Sequence, residues 1–154
     1  DMWLPAQGVL NFGTGFTSPD SASTFTIPSA AAKAVTVGAY DAGTGSAAPF
    51  SGRGYIVEIG GSLMVKPELA APGVNVLVPS VSGMARVSGT SYATPFVTGS
   101  AALLMEWGIV RGNDAFLYGE KLKAHLIKGA LPLNGMNIPD DVTGWGKMCM
   151  AQSI

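Results

Sequence analysis

Residues 91–107 place apolar side chains on nearly every face of a helix: Phe96, Val97, Ala101, Ala102, Leu103, Leu104, Met105 and Trp107, with Gly99 the one break after the first turn. A helix with this pattern is expected to be buried almost all round. Pro95 falls in its first turn, where the missing N–H would lack a partner anyway. Gly108 reads as its stop. The run is not expected to cross a membrane, because Thr98, Gly99, Ser100 and Glu106 interrupt it short of the roughly 18 apolar residues a span requires.

The rest of the chain reads as short elements joined by tight turns, since 21 glycines and 10 prolines are spread over 154 residues. Residues 34–40 and 74–78 are β-branched runs bounded by turn formers and are expected to be strands, with a further short one over 84–87. Segments 41–54 and 67–73 look loop-rich, 1–20 reads as strand ends and loops, and 130–154 as turns. A second helix is expected over 119–128, with Leu122 and Leu126 on one face and Gly129 as terminator. Trp3, Trp107 and Trp145 are expected to pack in the core or against sequence outside this chain.

Composition narrows the function. A chain that is 47% hydrophobic and 12% charged is expected to form one globular domain with a real core. Nine Lys and Arg against ten Asp and Glu leave no field to attract a polyanion, so nucleic-acid binding is not expected. Cys149 is the sole cysteine and cannot form an intrachain disulfide; no His cluster accompanies it as a metal site. Gly13-Thr14-Gly15 lacks the third glycine of a dinucleotide fingerprint and reads as a turn. Asp140-Asp141 reads as a solvated loop rather than a calcium site. No cofactor or metal is expected, and no targeting segment is expected within these residues.

The chemistry is concentrated in Gly89-Thr90-Ser91-Tyr92-Ala93-Thr94-Pro95, which sets a hydroxyl at the N-terminus of the apolar helix behind a glycine that permits a sharp turn. The plain structural reading makes Thr90 or Ser91 an N-cap. The catalytic reading makes Ser91 a nucleophile, with unpaired N–H groups and the positive end of the helix dipole stabilising charge that develops beside it.

The heptamer resembles the nucleophile signature of the subtilisin-like (subtilase) proteases, G-T-S-x-A-x-P. Three further stretches are similar to patterns of that family, in the family's order. They are Val35-Thr36-Val37-Gly38-Ala39, Phe50-Ser51-Gly52-Arg53-Gly54 and Pro67-Glu68-Leu69-Ala70-Ala71-Pro72-Gly73. The run from 93 to 108, with Phe116-Leu117-Tyr118-Gly119-Glu120-Lys121, looks more narrowly like clostridial subtilases of the Csp germination-protease type.

The resemblance implies an α/β fold, the C-terminal part of a subtilisin-like domain, with a parallel sheet and a buried helix after the serine. Residues 24–154 would belong to that catalytic domain and 1–23 to the end of an inserted or upstream segment. It further implies a serine endopeptidase acting on protein or peptide substrates through an acyl-enzyme. Ser91 would be the nucleophile, its backbone N–H would help hold the oxyanion, and Thr90 would add a second polar contact. A spore or extracellular location would follow.

The family's order is Asp, His, then Ser, with the histidine roughly 150 residues upstream, yet only ninety residues precede Ser91 and the sole histidine, His125, follows it. Asn11 is the nearest upstream asparagine but lacks the small-residue strand expected before an oxyanion hole. The base, its orienting Asp and the oxyanion Asn are therefore expected on an N-terminal part of the same protein outside this chain. The isolated chain is expected to be inactive and to associate with that part or with itself.

Two other readings compete. Csp-type relatives include pseudoproteases that act through binding, so a regulatory role without catalysis is the alternative. Ser91, Asp114 and His125 formally follow the α/β-hydrolase order, but 34 residues from Ser to His leave no room for that fold's further strands.

Overall fold

The computed structural model describes residue 4 and residues 9–154; Trp3 lies outside the described residues. Its centre is a three-stranded sheet of β1 (Val37–Asp41), β2 (Ser46–Ala47) and β5 (Leu69–Pro72), in the order β2-β1-β5. β1 and β5 are parallel, with Val37 opposite Leu69 and Tyr40 opposite Pro72. β2 runs antiparallel to β1, so the sheet is mixed rather than parallel throughout. A four-residue turn, closed by Gly45 N–H to the Asp41 carbonyl (2.8 Å), returns the chain directly alongside β1, and so short a return admits only the antiparallel arrangement.

Two departures from the expected strands share one cause, tertiary contacts overriding local propensity. Leu69–Pro72 lies inside the segment expected to be loop, and three of its four residues are buried. Alanines are poor strand formers in isolation. Here they pair with β1 on one side, while Ala70 exchanges bonds with Gly146 and Met148 on the other. Conversely, β1 begins three residues later than expected, because the Ala34 carbonyl and the Thr36 amide bond to buried charged side chains instead.

Two hairpins complete the strands. β3 (Tyr55–Ile59) and β4 (Ser62–Lys66) are joined by Gly60-Gly61, whose φ values of 59° and 78° supply the left-handed pair a tight hairpin turn requires. β6 (Val76–Ser80) and β7 (Gly83–Val87) form the second. β6 starts two residues later than expected because the chain first turns at Asn75, whose φ is 52°.

The apolar helix is α1 (Thr90–Met105), which widens into a π-helical turn over Glu106–Val110, where the Arg111 amide donates to the Glu106 carbonyl five residues back. Its buried residues are Ala93, Val97, Ser100 and Leu104, one stripe at helical spacing. Phe96 is 43% and Leu103 55% exposed. The expectation of burial all round is thus corrected: among the described residues α1 packs on β1, β5 and α2 (Gly119–Lys128), and its opposite face is open. Thr90–Val110 is 21 residues long and contains an 18-residue window of mean hydropathy 1.2, so by length and composition alone it is apolar enough to cross a membrane. In this fold the run's buried stripe instead meets the sheet. Gly108 does not stop the helix but lies within the π turn. A Cβ there would come within 2.7 Å of the Leu117 side chain and 3.0 Å of the Asp114 carbonyl, so glycine lets the 114–117 loop close onto the helix.

α2 has the expected bounds and ends at Gly129. Leu126 and the loop residue Leu117 join Ala39, Leu69, Ala71, Ala93, Val97 and Leu104 in one apolar cluster, with Trp107 packed against its edge. Each fully buried leucine contributes about 1.5–3 kcal/mol relative to exposure. Trp145 is half-buried.

Beside this cluster lies a buried group of charges. The Lys66 and Lys123 ammonium groups both reach Oε1 of Glu68, at 2.7 and 2.5 Å. Lys66 is fully buried and Glu68 is 2% exposed. Burial pushes the Lys66 ammonium below the usual lysine range, with the Glu68 carboxylate pulling the other way.

Candidate active site

Residues of all four sequence motifs meet where β1 and β5 end and α1 begins. The Ser51 hydroxyl accepts the Ala39 amide (3.0 Å), tying the second motif to the strand of the first. The Gly73 amide donates to the Tyr40 carbonyl (2.9 Å), and the Gly73 carbonyl accepts the Gly89 amide (2.8 Å). A Cβ on Gly73 would lie 2.6 Å from the Ala39 Cβ and 3.4 Å from the Ala93 Cβ. Only a residue without a side chain lets β5, β1 and the start of α1 approach this closely. The spacing of the motifs along the chain therefore translates into the position of one helix N-terminus.

Gly89 is the N-cap, with φ of 153° and ψ of 155°, a conformation that strains residues bearing a Cβ. Among the described residues no side chain caps the helix. The N-cap role considered for Thr90 and Ser91 is thus taken by the glycine, and both residues lie within the first turn. The Gly89 carbonyl takes the Tyr92 amide (3.0 Å), which leaves the Thr90 and Ser91 amides without a partner among the described residues. These N–H groups and the helix dipole give the first turn a partial positive charge.

Ser91 is exposed. With Thr90 and Thr94 it forms one wall of an open groove of about 290 Å³, whose other wall is Pro28, Ser29 and residues 34–37. Ala93, one turn face away, is fully buried against the core. The helix is therefore anchored by Ala93, Val97 and Leu104 while presenting Ser91 to solvent. A hydroxyl so placed can attack an electrophile bound in the groove, and the free amides can receive the negative charge that results.

The other candidate residues lie elsewhere. His125 on α2 bonds through Nδ1 to the Ser153 carbonyl (3.0 Å) and is not among the residues lining the Ser91 groove. Asp114 follows the far end of α1, a 16-residue helix of about 24 Å by its rise per residue. It pairs with Lys121 at 2.5 Å, which holds its carboxyl below the usual carboxylate range. The Ser91, Asp114 and His125 order of an α/β-hydrolase is therefore not assembled in space. Asn11 is an exposed turn residue whose carbonyl accepts the Thr14 amide (3.1 Å). The Asp140 carboxylate is occupied locally: Oδ1 accepts the Val142 and Thr143 amides, both at 2.7 Å, and Oδ2 accepts the Thr143 hydroxyl.

Sequence reasoning gave no role to Glu68 beyond its place in a motif. It is a fully partnered buried carboxylate whose Oε2 accepts the Thr36 amide at 2.6 Å, directly behind the groove wall.

Known proteins match this arrangement. The family model for the subtilase family, Peptidase S8, matches residues 11–146. The structure of the Clostridium perfringens CspB protease is 42% identical with a TM-score of 0.81, over 91% of this chain and 30% of that one. The prenylagaramide maturation protease PagA is 31% identical with a TM-score of 0.64, over 83% of this chain and 44% of that one. The PII-type proteinase of Lactococcus lactis subsp. cremoris is 35% identical over 77 residues, 49% of this chain and 4% of its own length. The chain thus spans less than half the length of each of these relatives. With its signature residues gathered at one helix N-terminus and most of its length matched by the family model, the chain belongs to the subtilase family.

Proposed function

We propose that this chain carries the nucleophile of a serine endopeptidase, and that Ser91 attacks a peptide carbonyl to form an acyl-enzyme. The observation that carries the reading is the exposed Ser91 on the first turn of α1, beside two unpartnered amides and facing an open groove. A general base would take the hydroxyl proton as the Oγ–C bond forms and later return it to the leaving amine. The Ser91 N–H would hold the oxyanion, with Thr90 adding a polar contact.

The sole histidine bonds to the C-terminal tail instead, which supports placing the base, its orienting Asp and the oxyanion Asn on an N-terminal part of the same protein. Residues 24–154 would then be the C-terminal part of the catalytic domain, with 1–23 the end of an inserted or upstream segment. The substrate is a protein or peptide. The 154 residues alone are expected to hydrolyse no peptide; cleavage by the isolated chain that disappears in Ser91→Ala would overturn the division of the site between two segments.

A further inference from the structure

Two walls enclose the groove, and they are held by different means. The first, Thr90, Ser91 and Thr94, belongs to a helix. The second, residues 28–37, is irregular backbone until β1 starts at Val37. What holds it is the buried charge group. Oε2 of Glu68 accepts the Thr36 amide (2.6 Å). Lys66 donates to the Ala34 carbonyl (2.8 Å) and to the Thr36 hydroxyl (3.3 Å). Lys123 donates to the Ala32 carbonyl (2.8 Å) and the Ala34 carbonyl (3.3 Å). The Thr36 hydroxyl, with a lone pair taken by Lys66, donates to the Ser29 carbonyl (2.6 Å). Side chains from β4, from the residue just before β5 and from α2 thus converge on the backbone of one groove wall.

Two ammonium groups share one carboxylate oxygen, which leaves an excess positive charge in a buried site, offset by carbonyl dipoles of the wall itself. Buried ions are costly to desolvate and a well-packed apolar cluster usually serves stability as well, whereas directional ionic bonds to main-chain atoms set geometry. We infer that Lys66, Glu68 and Lys123 are positioning residues that hold the 29–36 wall at its working distance from Ser91, and so govern how the substrate is seated rather than the bond-breaking step. The inference rests on the reading of Ser91 as nucleophile only for its activity consequence.

Amide hydrogen exchange on the chain gives the first test. In Lys123→Met, which keeps the apolar stem of a partly exposed residue, the amides of residues 34–36 should exchange at least about tenfold faster while those of Val97 and Leu104 keep their rates. Glu68→Gln, which retains an acceptor for the Thr36 amide, should fall between that variant and the parent. The complete protein gives the second: KM for a peptide substrate should rise about tenfold with kcat changed less than about threefold. The inference is overturned if residues 34–36 keep their exchange rates, if they accelerate only in step with Val97 and Leu104, or if kcat falls with KM unchanged. A Ser91→Ala protein that still hydrolysed peptide would instead remove the nucleophile reading, and the exchange ratio would still decide the positioning claim.

Discussion

At the scale of single residues, the site depends on where side chains are absent as much as on where they are present. Gly73 lies between the Ala39 Cβ and the Gly89 carbonyl, 2.6 and 3.1 Å from where its own Cβ would be. Neither neighbour is a flexible side-chain end. Gly73→Ala should therefore destabilise the chain by about 1–3 kcal/mol, as overpacking does, measured by urea denaturation; an unchanged midpoint would contradict the close approach. A second prediction concerns acid. The Lys121 ammonium depresses the Asp114 carboxyl, so its stabilisation is complete above the ordinary carboxylate pKa of about 4 and is lost as pH falls through the lowered value. Asp114→Asn should flatten this part of the acid limb of stability against pH, and a limb identical to the parent's would refute the pairing. Ser91 was legible from its signature. Glu68 was legible as a motif residue, but its bonds were not, because its partners Lys66, Thr36 and Lys123 come together only once β1, β5 and α2 are packed.

At the scale of elements, periodicity located both helices, but it could not say which sides of α1 would be covered. Apolar residues occupy most of its faces, and the polar stripe of Ser91, Thr94 and Thr98 covers only its first half and leaves the sides bearing Phe96 and Leu103 unmarked. The structure distinguishes adjacent leucines: Leu104 is fully buried and Leu103 is 55% exposed. Leu104→Ala should cost about 2–5 kcal/mol and Leu103→Ala within about 0.5 kcal/mol, both by denaturant titration of the isolated chain; equal costs would contradict the orientation. The β5 segment was hidden for the opposite reason. Its two alanines are poor strand formers and it lies between Pro67 and Gly73 with Pro72 at its end, so the strand exists because β1 and the Ala70–Met148 contacts supply the hydrogen bonds. The β3–β4 hairpin was not among the expected strands, although Gly60-Gly61 between apolar runs is a local signal for a primed turn.

At the scale of the whole molecule, the surface above the groove-bearing helix is unusually apolar. Tyr92, Phe96 and Leu103 on α1 and Leu77 on β6 are all at least a third exposed. Contiguous surfaces of this kind favour association. The isolated chain should therefore sediment as concentration-dependent oligomers, and Phe96→Ser with Leu103→Ser should shift it toward monomer; a parent chain monomeric at all concentrations would argue that this face needs no cover.

The proposed chemistry depends on Ser91, and covalent labelling tests its role most directly. A fluorophosphonate probe applied to the folded complete protein should modify Ser91, as read by mass spectrometry of the peptide containing it, and Ser91→Ala should abolish both the label and peptide hydrolysis. A folded complete protein in which the probe leaves Ser91 unmodified would contradict the nucleophile reading and favour a subtilase homologue that acts through binding.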